Sequence, residues 1–148
     1  MKSFCLCFGL LLSFLAAAQP SRVLFIGNSY THYNNMPKLL QEMANSKGQS
    51  VDIHMDAKSN HTFEMHAKRP ELYQSIKKYK WDVVVIQGFS RELAQDTAII
   101  DSLTLPYIRQ ILDSVYANNS CTKILMYQTW AYKNGFQDDS LQISWDYQ

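Results

Sequence analysis

Arg22-Val23-Leu24-Phe25-Ile26-Gly27-Asn28-Ser29-Tyr30-Thr31 is the stretch on which the fold turns. The run from Arg22 to Ile26 reads as a buried strand. Gly27 then lets the backbone turn sharply, and a hydroxyl follows at Ser29. In open α/β sheets ligands bind at the carboxyl edge of the strands, so Ser29 stands where a nucleophile is useful. The same residues also suit a plain turn or a helix cap, which Asn and Ser form in many proteins. This segment alone leaves both readings open.

Working outward, strands and helices alternate. Asn34-Asn35-Met36-Pro37 opens a helix, with a polar cap and a proline in the first turn. Leu39, Leu40, Met43 and Ala44 recur at helical spacing, and Gly48 ends the helix. Val51-Asp52-Ile53-His54-Met55 alternates as a second strand. Pro70 opens another helix, with Leu72, Ile76 and Tyr79 on one face. Trp81-Asp82-Val83-Val84-Val85-Ile86 predicts a central strand buried on both faces. Ile100, Leu103, Tyr107, Ile111, Leu112 and Val115 outline a helix broken near Pro106. Ile124-Leu125-Met126-Tyr127 is a fourth strand. This rhythm predicts an α/β fold: a parallel sheet with helices on both faces and right-handed crossovers. The expected strands are 22–27, 51–55, 82–87 and 123–129, in spatial order 2-1-3-4.

The first residues are a separate matter. Met1-Lys2 is positive, Phe4 to Leu15 is apolar but too short to span a bilayer comfortably, and Ala16-Ala17-Ala18 forms a small-residue cleavage site. Residues 1–18 therefore read as a signal peptide, and 19–148 as an exported domain, secreted or periplasmic. Cys5 and Cys7 lie in that leader. Cys121 is then the only thiol of the mature chain, so no intramolecular disulfide forms and stability rests on a hydrophobic core. Lys and Arg total 14 against 13 Asp and Glu, which leaves no basic stripe. Lys77-Lys78-Lys80 reads as the solvated end of a helix, and nucleic acid is not an expected partner. No second apolar segment is long enough to cross a membrane, so no membrane contact is expected after leader removal.

Four residues are histidine. His54 falls on the second strand, at an edge or surface. His32 follows the Ser29 loop, where it either lines a pocket or lies on the surface. His61 and His66 have spacing that suggests a metal pair, but no carboxylate or cysteine pattern completes it, so no metal is expected. Tyr127 and Trp130 suit either a sugar-stacking wall or the core.

The segment Gly27-Asn28-Ser29-Tyr30-Thr31 resembles the first block of the SGNH/GDSL hydrolases, and more narrowly an uncharacterised secreted bacterial branch reading Gly-Asn-Ser-Phe/Tyr-Thr. Thr62-Phe63-Glu64-Met65-His66, Trp81 to Gln87 with Ser90, and Met126-Tyr127-Gln128-Thr129-Trp130-Ala131 resemble the same branch. The resemblance implies a three-layer α/β/α sandwich of flavodoxin-like type, and esterase, lipase or carbohydrate O-deacetylase activity without a cofactor. It makes Ser29 the nucleophile and its N–H an oxyanion donor. Asn60 or Ser59 stands where the second block has Gly; Asn tolerates the unusual backbone angles involved. The third block reads Gly88-Phe89-Ser90 in place of Gly-x-Asn, so Gln87 or Ser90 becomes the side-chain donor. Asn28 replaces the usual Asp of the first block. His66 matches a histidine of the branch, in the substrate pocket or in a structural hydrogen bond.

The closing Asp-x-x-His of such enzymes is not found. Asp138-Asp139 is not followed by a correctly spaced histidine, and no histidine follows His66. The chain is therefore read as C-terminally truncated, with a fifth strand and last helix missing; a pseudoenzyme is the competing explanation. The leading expectation is a secreted serine ester hydrolase on small-molecule or acylated carbohydrate substrates, inactive or nearly so in this form. The alternative is a non-catalytic carbohydrate-binding relative. A nucleotide-binding role for Asn28 to Thr31 is disfavoured by export and by the lack of a Gly-rich loop.

Overall fold

The computed structural model describes residues 19–129, and the backbone alone of 136–138 and 143–145. Strand β1 (Ser21–Gly27) leads into a one-turn helix α1 (Ser29–His32), a short 3-10 turn, and helix α2 (Met36–Ser46). Then follow β2 (Val51–Ala57), α3 (Phe63–Ala67), α4 (Pro70–Lys77) and β3 (Val83–Ile86). A last crossover, α5 (Thr97–Ile99) and α6 (Leu105–Asn118), leads to β4 (Lys123–Met126).

The four strands form a parallel sheet in the order β2-β1-β3-β4, as the sequence predicts. Each strand side chain points away from the one before it. Leu24 and Ile26 of β1 pair in register with Val84 and Ile86 of β3 and share one face with them. On that face α3, α4 and α6 contribute Phe63, Leu72, Ile76, Ile108, Ile111 and Val115 to a single buried cluster. Each fully buried apolar side chain there stabilises the fold by about 1.5–3 kcal/mol. Trp81 anchors the lower end, fully buried, with its indole N–H donating to the Ile76 carbonyl at 2.8 Å.

The opposite face is covered by α2. Its proline lies in the first turn, and Gly48, at φ +71°, ends the chain's helical course in the left-handed region. Asn35 does not cap α2 with its side chain. Asn34 and Asn35 instead occupy left-handed backbone, at φ 58° and 53°. The expectation that β3 is buried on both faces is corrected here. Val84 and Ile86 are buried but Val83 and Val85 are only half-buried, because α2 leaves part of this face open. Leu39, Leu40 and Met43 of α2 are exposed, as are Leu125 and Met126 of β4.

Three other features differ from the expectations. The predicted break near Pro106 is a π-helical turn, Ile100–Thr104, just before Pro106 enters the first turn of α6. Strand β4 ends at Met126, short of residue 129. Phe136–Asp138 pairs antiparallel with Ile143–Trp145, a pairing beyond the four strands expected from the sequence. Trp130 lies outside the described residues.

Gly88 follows β3 where the chain passes close to α3. A Cβ at Gly88 would strike the Phe63 ring and come within 2.9 Å of Glu92 Oε2. Gly88→Ala is expected to lower unfolding free energy by about 1–3 kcal/mol, the usual range for overpacking, read from the urea midpoint. An unchanged midpoint would show that Phe63 gives way freely.

Candidate active site

Ser29 follows the carboxyl end of β1 as the first residue of α1. The cap expected of Asn28 or Ser29 is made by Asn28, whose Oδ1 accepts from the Tyr30 N–H at 3.0 Å. That division leaves the serine free of capping duty, and no hydrogen bond to Ser29 Oγ occurs among the described residues. The hydroxyl borders a cleft of about 720 Å³ lined by Ser29, Tyr30, Tyr33, Asn34, Met36, Leu39 and Tyr127.

The loop is braced from behind. Gln87 is buried, and its Oε1 accepts from the Asn28 N–H at 3.0 Å and from Thr31 Oγ1 at 2.8 Å. Its Nε2 donates to the Gly88 carbonyl. Asn28 Nδ2 donates to the same carbonyl at 3.1 Å and reaches the His61 carbonyl at 3.5 Å. Of the two side-chain donors expected of the third block, Gln87 therefore does not face the cleft in this arrangement, and Asn28, in place of the usual Asp, is likewise turned inward. Both amides are buried and already hydrogen-bonded, so they fix the shape of the Ser29 loop. Gly27 is needed for the same reason: a Cβ there would collide with Thr31 Oγ1 and lie 2.9 Å from Gln87 Oε1.

Asn60 adopts the left-handed conformation, φ 60°, that the sequence reading anticipated for an Asn at a glycine position. It is exposed, in the turn between β2 and α3. Next to it, His32 Nε2 and Ser59 Oγ are 3.0 Å apart, a bond joining this turn to α1. Ser90 is half-buried in the turn after Gly88.

His66 belongs to the interior. It is fully buried, and Arg69 donates to its Nδ1 at 3.2 Å, which places the ring proton on Nε2. Arg69 in turn pairs with Asp56 at 2.9 Å, and Ser75 Oγ donates to the other Asp56 oxygen at 2.8 Å. Of the two roles open to His66, this is the structural hydrogen bond; a buried ring does not meet substrate. Burial first, then the neighbouring His61 and Arg69, lowers His66 from 6.5 to about 4, against opposing pulls from Asp56 and the Gly27 carbonyl. The His61 and His66 rings are 5.1 Å apart, but no group of three metal-ligating side chains occurs among the described residues. His54 sits half-buried on the edge strand, 3.1 Å from Asp52 and packed on Tyr79 and Trp81.

Sequence reasoning missed Glu92. Its buried carboxylate accepts from the Phe63 N–H at 2.9 and 3.1 Å and from the Phe89 N–H at 3.0 Å. Burial pushes this carboxyl above its ordinary range; the Phe89 and Phe63 amides oppose that rise and the Glu64 carboxylate adds to it. An acid within a few residues of the Gly88 turn was the available signal.

With this geometry in hand, comparison with known proteins is informative at the level of fold. No protein-family model and no curated protein matches the sequence. Solved structures do match. A candidate SGNH hydrolase from Slackia heliotrinireducens superposes with a TM-score of 0.62 at 22% identity, over 78% of this chain and 59% of that one. A DUF4886 family protein from Bacteroides uniformis gives 0.61 at 22% identity, over 78% and 52%. The periplasmic domain of a lipopolysaccharide acetyltransferase from Salmonella Paratyphi A gives 0.58 at 14%, over 79% and 48%. The fold is thus the α/β fold of SGNH hydrolase-like proteins. This chain spans about half to three fifths of their length. No helix among the described residues is long and apolar enough to cross a membrane.

The His66 pocket carries a pH signature. An imidazole with a lowered folded pKa binds its proton more readily in the unfolded chain, so its stabilisation is complete above 6.5 and is lost as pH falls toward 4. The loss attributable to His66 across that window is on the order of 3 kcal/mol. His66→Gln, which keeps an acceptor for Arg69, is expected to flatten the pH dependence of the urea midpoint between pH 6.5 and 4. An unchanged slope would place the acid sensitivity elsewhere.

Proposed function

We propose that this chain is an exported serine ester hydrolase acting on acylated carbohydrate, with Ser29 as nucleophile. The observation that carries the reading is the position of Ser29: past the carboxyl end of β1, on a braced loop, with an uncommitted hydroxyl at the mouth of a 720 Å³ cleft. Tyr30, Tyr33 and Tyr127 line that cleft, and flat rings with polar tips suit a sugar face. The periplasmic domain of a lipopolysaccharide acetyltransferase, which shares this fold, is in keeping with that substrate class and with export.

In this mechanism Ser29 Oγ attacks the ester carbonyl, the bond to the alcohol oxygen breaks as that alcohol takes up a proton and leaves, and water then cleaves the acyl–Ser29 ester to release the acid. The groups assigned to the developing oxyanion are the Ser29 N–H, the backbone beside Asn60 and the Ser90 side chain. The serine proton requires a base. None of His32, His54, His61 and His66 hydrogen-bonds Ser29 among the described residues, and an Asp-x-x-His segment of the kind found in SGNH enzymes is the group that fits the role. That no described side chain hydrogen-bonds Ser29 Oγ is the one observation favouring the second reading, a non-catalytic carbohydrate-binding relative.

In the full-length protein, Ser29→Ala is expected to reduce hydrolysis of a small aryl acetate by about 10³-fold or more, with an unchanged circular dichroism spectrum. Unaltered turnover would place the chemistry elsewhere. Sugar binding by a complete wild-type protein that hydrolyses nothing would select the second reading.

A further inference from the structure

We propose that Glu92 is a positioning residue for the Ser29 site, clamping the turn that carries Asn60 and the turn from Gly88 to Ser90 in one fixed relation. The proposal rests on the ester-hydrolase reading above. Glu92 never meets substrate in this scheme; it acts through two backbone amides.

Phe63 is the first residue of α3, and its N–H has no acceptor within the helix. Thr62 Oγ1 caps the same end by accepting from Met65 at 3.2 Å, which leaves the Phe63 amide to Glu92. Asn60, with its left-handed backbone, lies just before that cap. On the other side Glu92 takes the Phe89 N–H, and its own N–H donates to the Phe89 carbonyl at 2.9 Å. Phe89 follows Gly88, whose carbonyl receives Asn28 Nδ2. A single carboxylate therefore ties the second loop to the third, and the third is tied to the loop of Ser29.

The packing leaves this clamp little play. Glu92 is only 6% exposed. The Phe63 ring fills the space where a side chain at Gly88 would be, and the Arg91 guanidinium covers the Phe89 ring at 5.2 Å. Oε2 accepts from both the Phe63 and Phe89 N–H groups, and Oε1 accepts from Phe63 as well. A glutamine offers one oxygen, and its NH₂ would face a donor. Losing one tie lets the two turns move relative to Ser29, and a displacement of about 1 Å at a reacting centre costs on the order of 10²-fold in rate.

The test compares wild type, Glu92→Gln and Glu92→Asp in the full-length protein. It reads kcat and KM for an aryl acetate, thermal midpoint, and amide hydrogen exchange at Phe63 and Phe89. Expected for Glu92→Gln is a kcat lowered about 10- to 100-fold with KM within about twofold, and faster exchange at one or both amides. Glu92→Asp, too short to span both amides, is expected to fall in the same direction. A folded variant with wild-type kcat overturns the proposal, as does a kcat loss that merely tracks the unfolded fraction. A wild-type protein without esterase activity instead refutes the hydrolase reading, and the exchange data then judge the clamp alone: unchanged protection at Phe63 and Phe89 in Glu92→Gln overturns it.

Discussion

The Ser29 loop hangs on one amide oxygen. Gln87 Oε1 receives the Asn28 N–H and the Thr31 hydroxyl together, joining the end of β3 to both sides of the serine. Both bonds are buried, where an unmade partner costs about 1–3 kcal/mol. The arrangement is possible because Gly27 has no side chain to hold Thr31 and Gln87 apart. Everything at the carboxyl edge of the sheet follows from that approach: the early start of α1, the cap made by Asn28, and the outward serine.

The sheet was readable because its signals are local. A run such as Val83 to Ile86 between polar turns has few alternatives in a chain of alternating strands and helices. The burial of that strand was less readable, since the alternation of Val84 and Ile86 against Val83 and Val85 depends on how fully each face is covered. The one-turn helices α1 and α3 gave no periodic pattern, being too short to repeat one. Their starts depend on caps at Asn28 and Thr62, side chains equally at home in turns. The π turn before Pro106 has no compositional signature.

The site divides along the same line. The placement of Ser29 just past β1 and the left-handed backbone of Asn60 were legible, because each follows from what one residue type allows at one position. Gln87 was expected as one of two candidate donors, Asn28 as the replacement for an Asp, and His66 either in the pocket or in a structural hydrogen bond; their polarity alone did not decide among such roles. Their orientation is settled by partners some 30 to 60 residues away, such as Gln87 for Asn28, or by a small network such as Arg69 with Asp56. Nothing in a linear pattern records such pairings. Glu92 escaped notice for the same reason, since its amide partner Phe63 is remote in sequence.

The two faces of the sheet are built to different standards. The face carrying Leu24, Ile26, Val84 and Ile86 is sealed by α3, α4 and α6, and it also backs the loop of Ser29. The cleft walls, by contrast, come from Tyr33, Met36 and Leu39 beside the open α2 face. Substitutions in those walls remove little buried area, so they bear lightly on folding. Natural variation can therefore reshape what enters the cleft while the scaffold behind the serine stays unchanged. The division separates variation in the shape of the cleft from the maintenance of the fold.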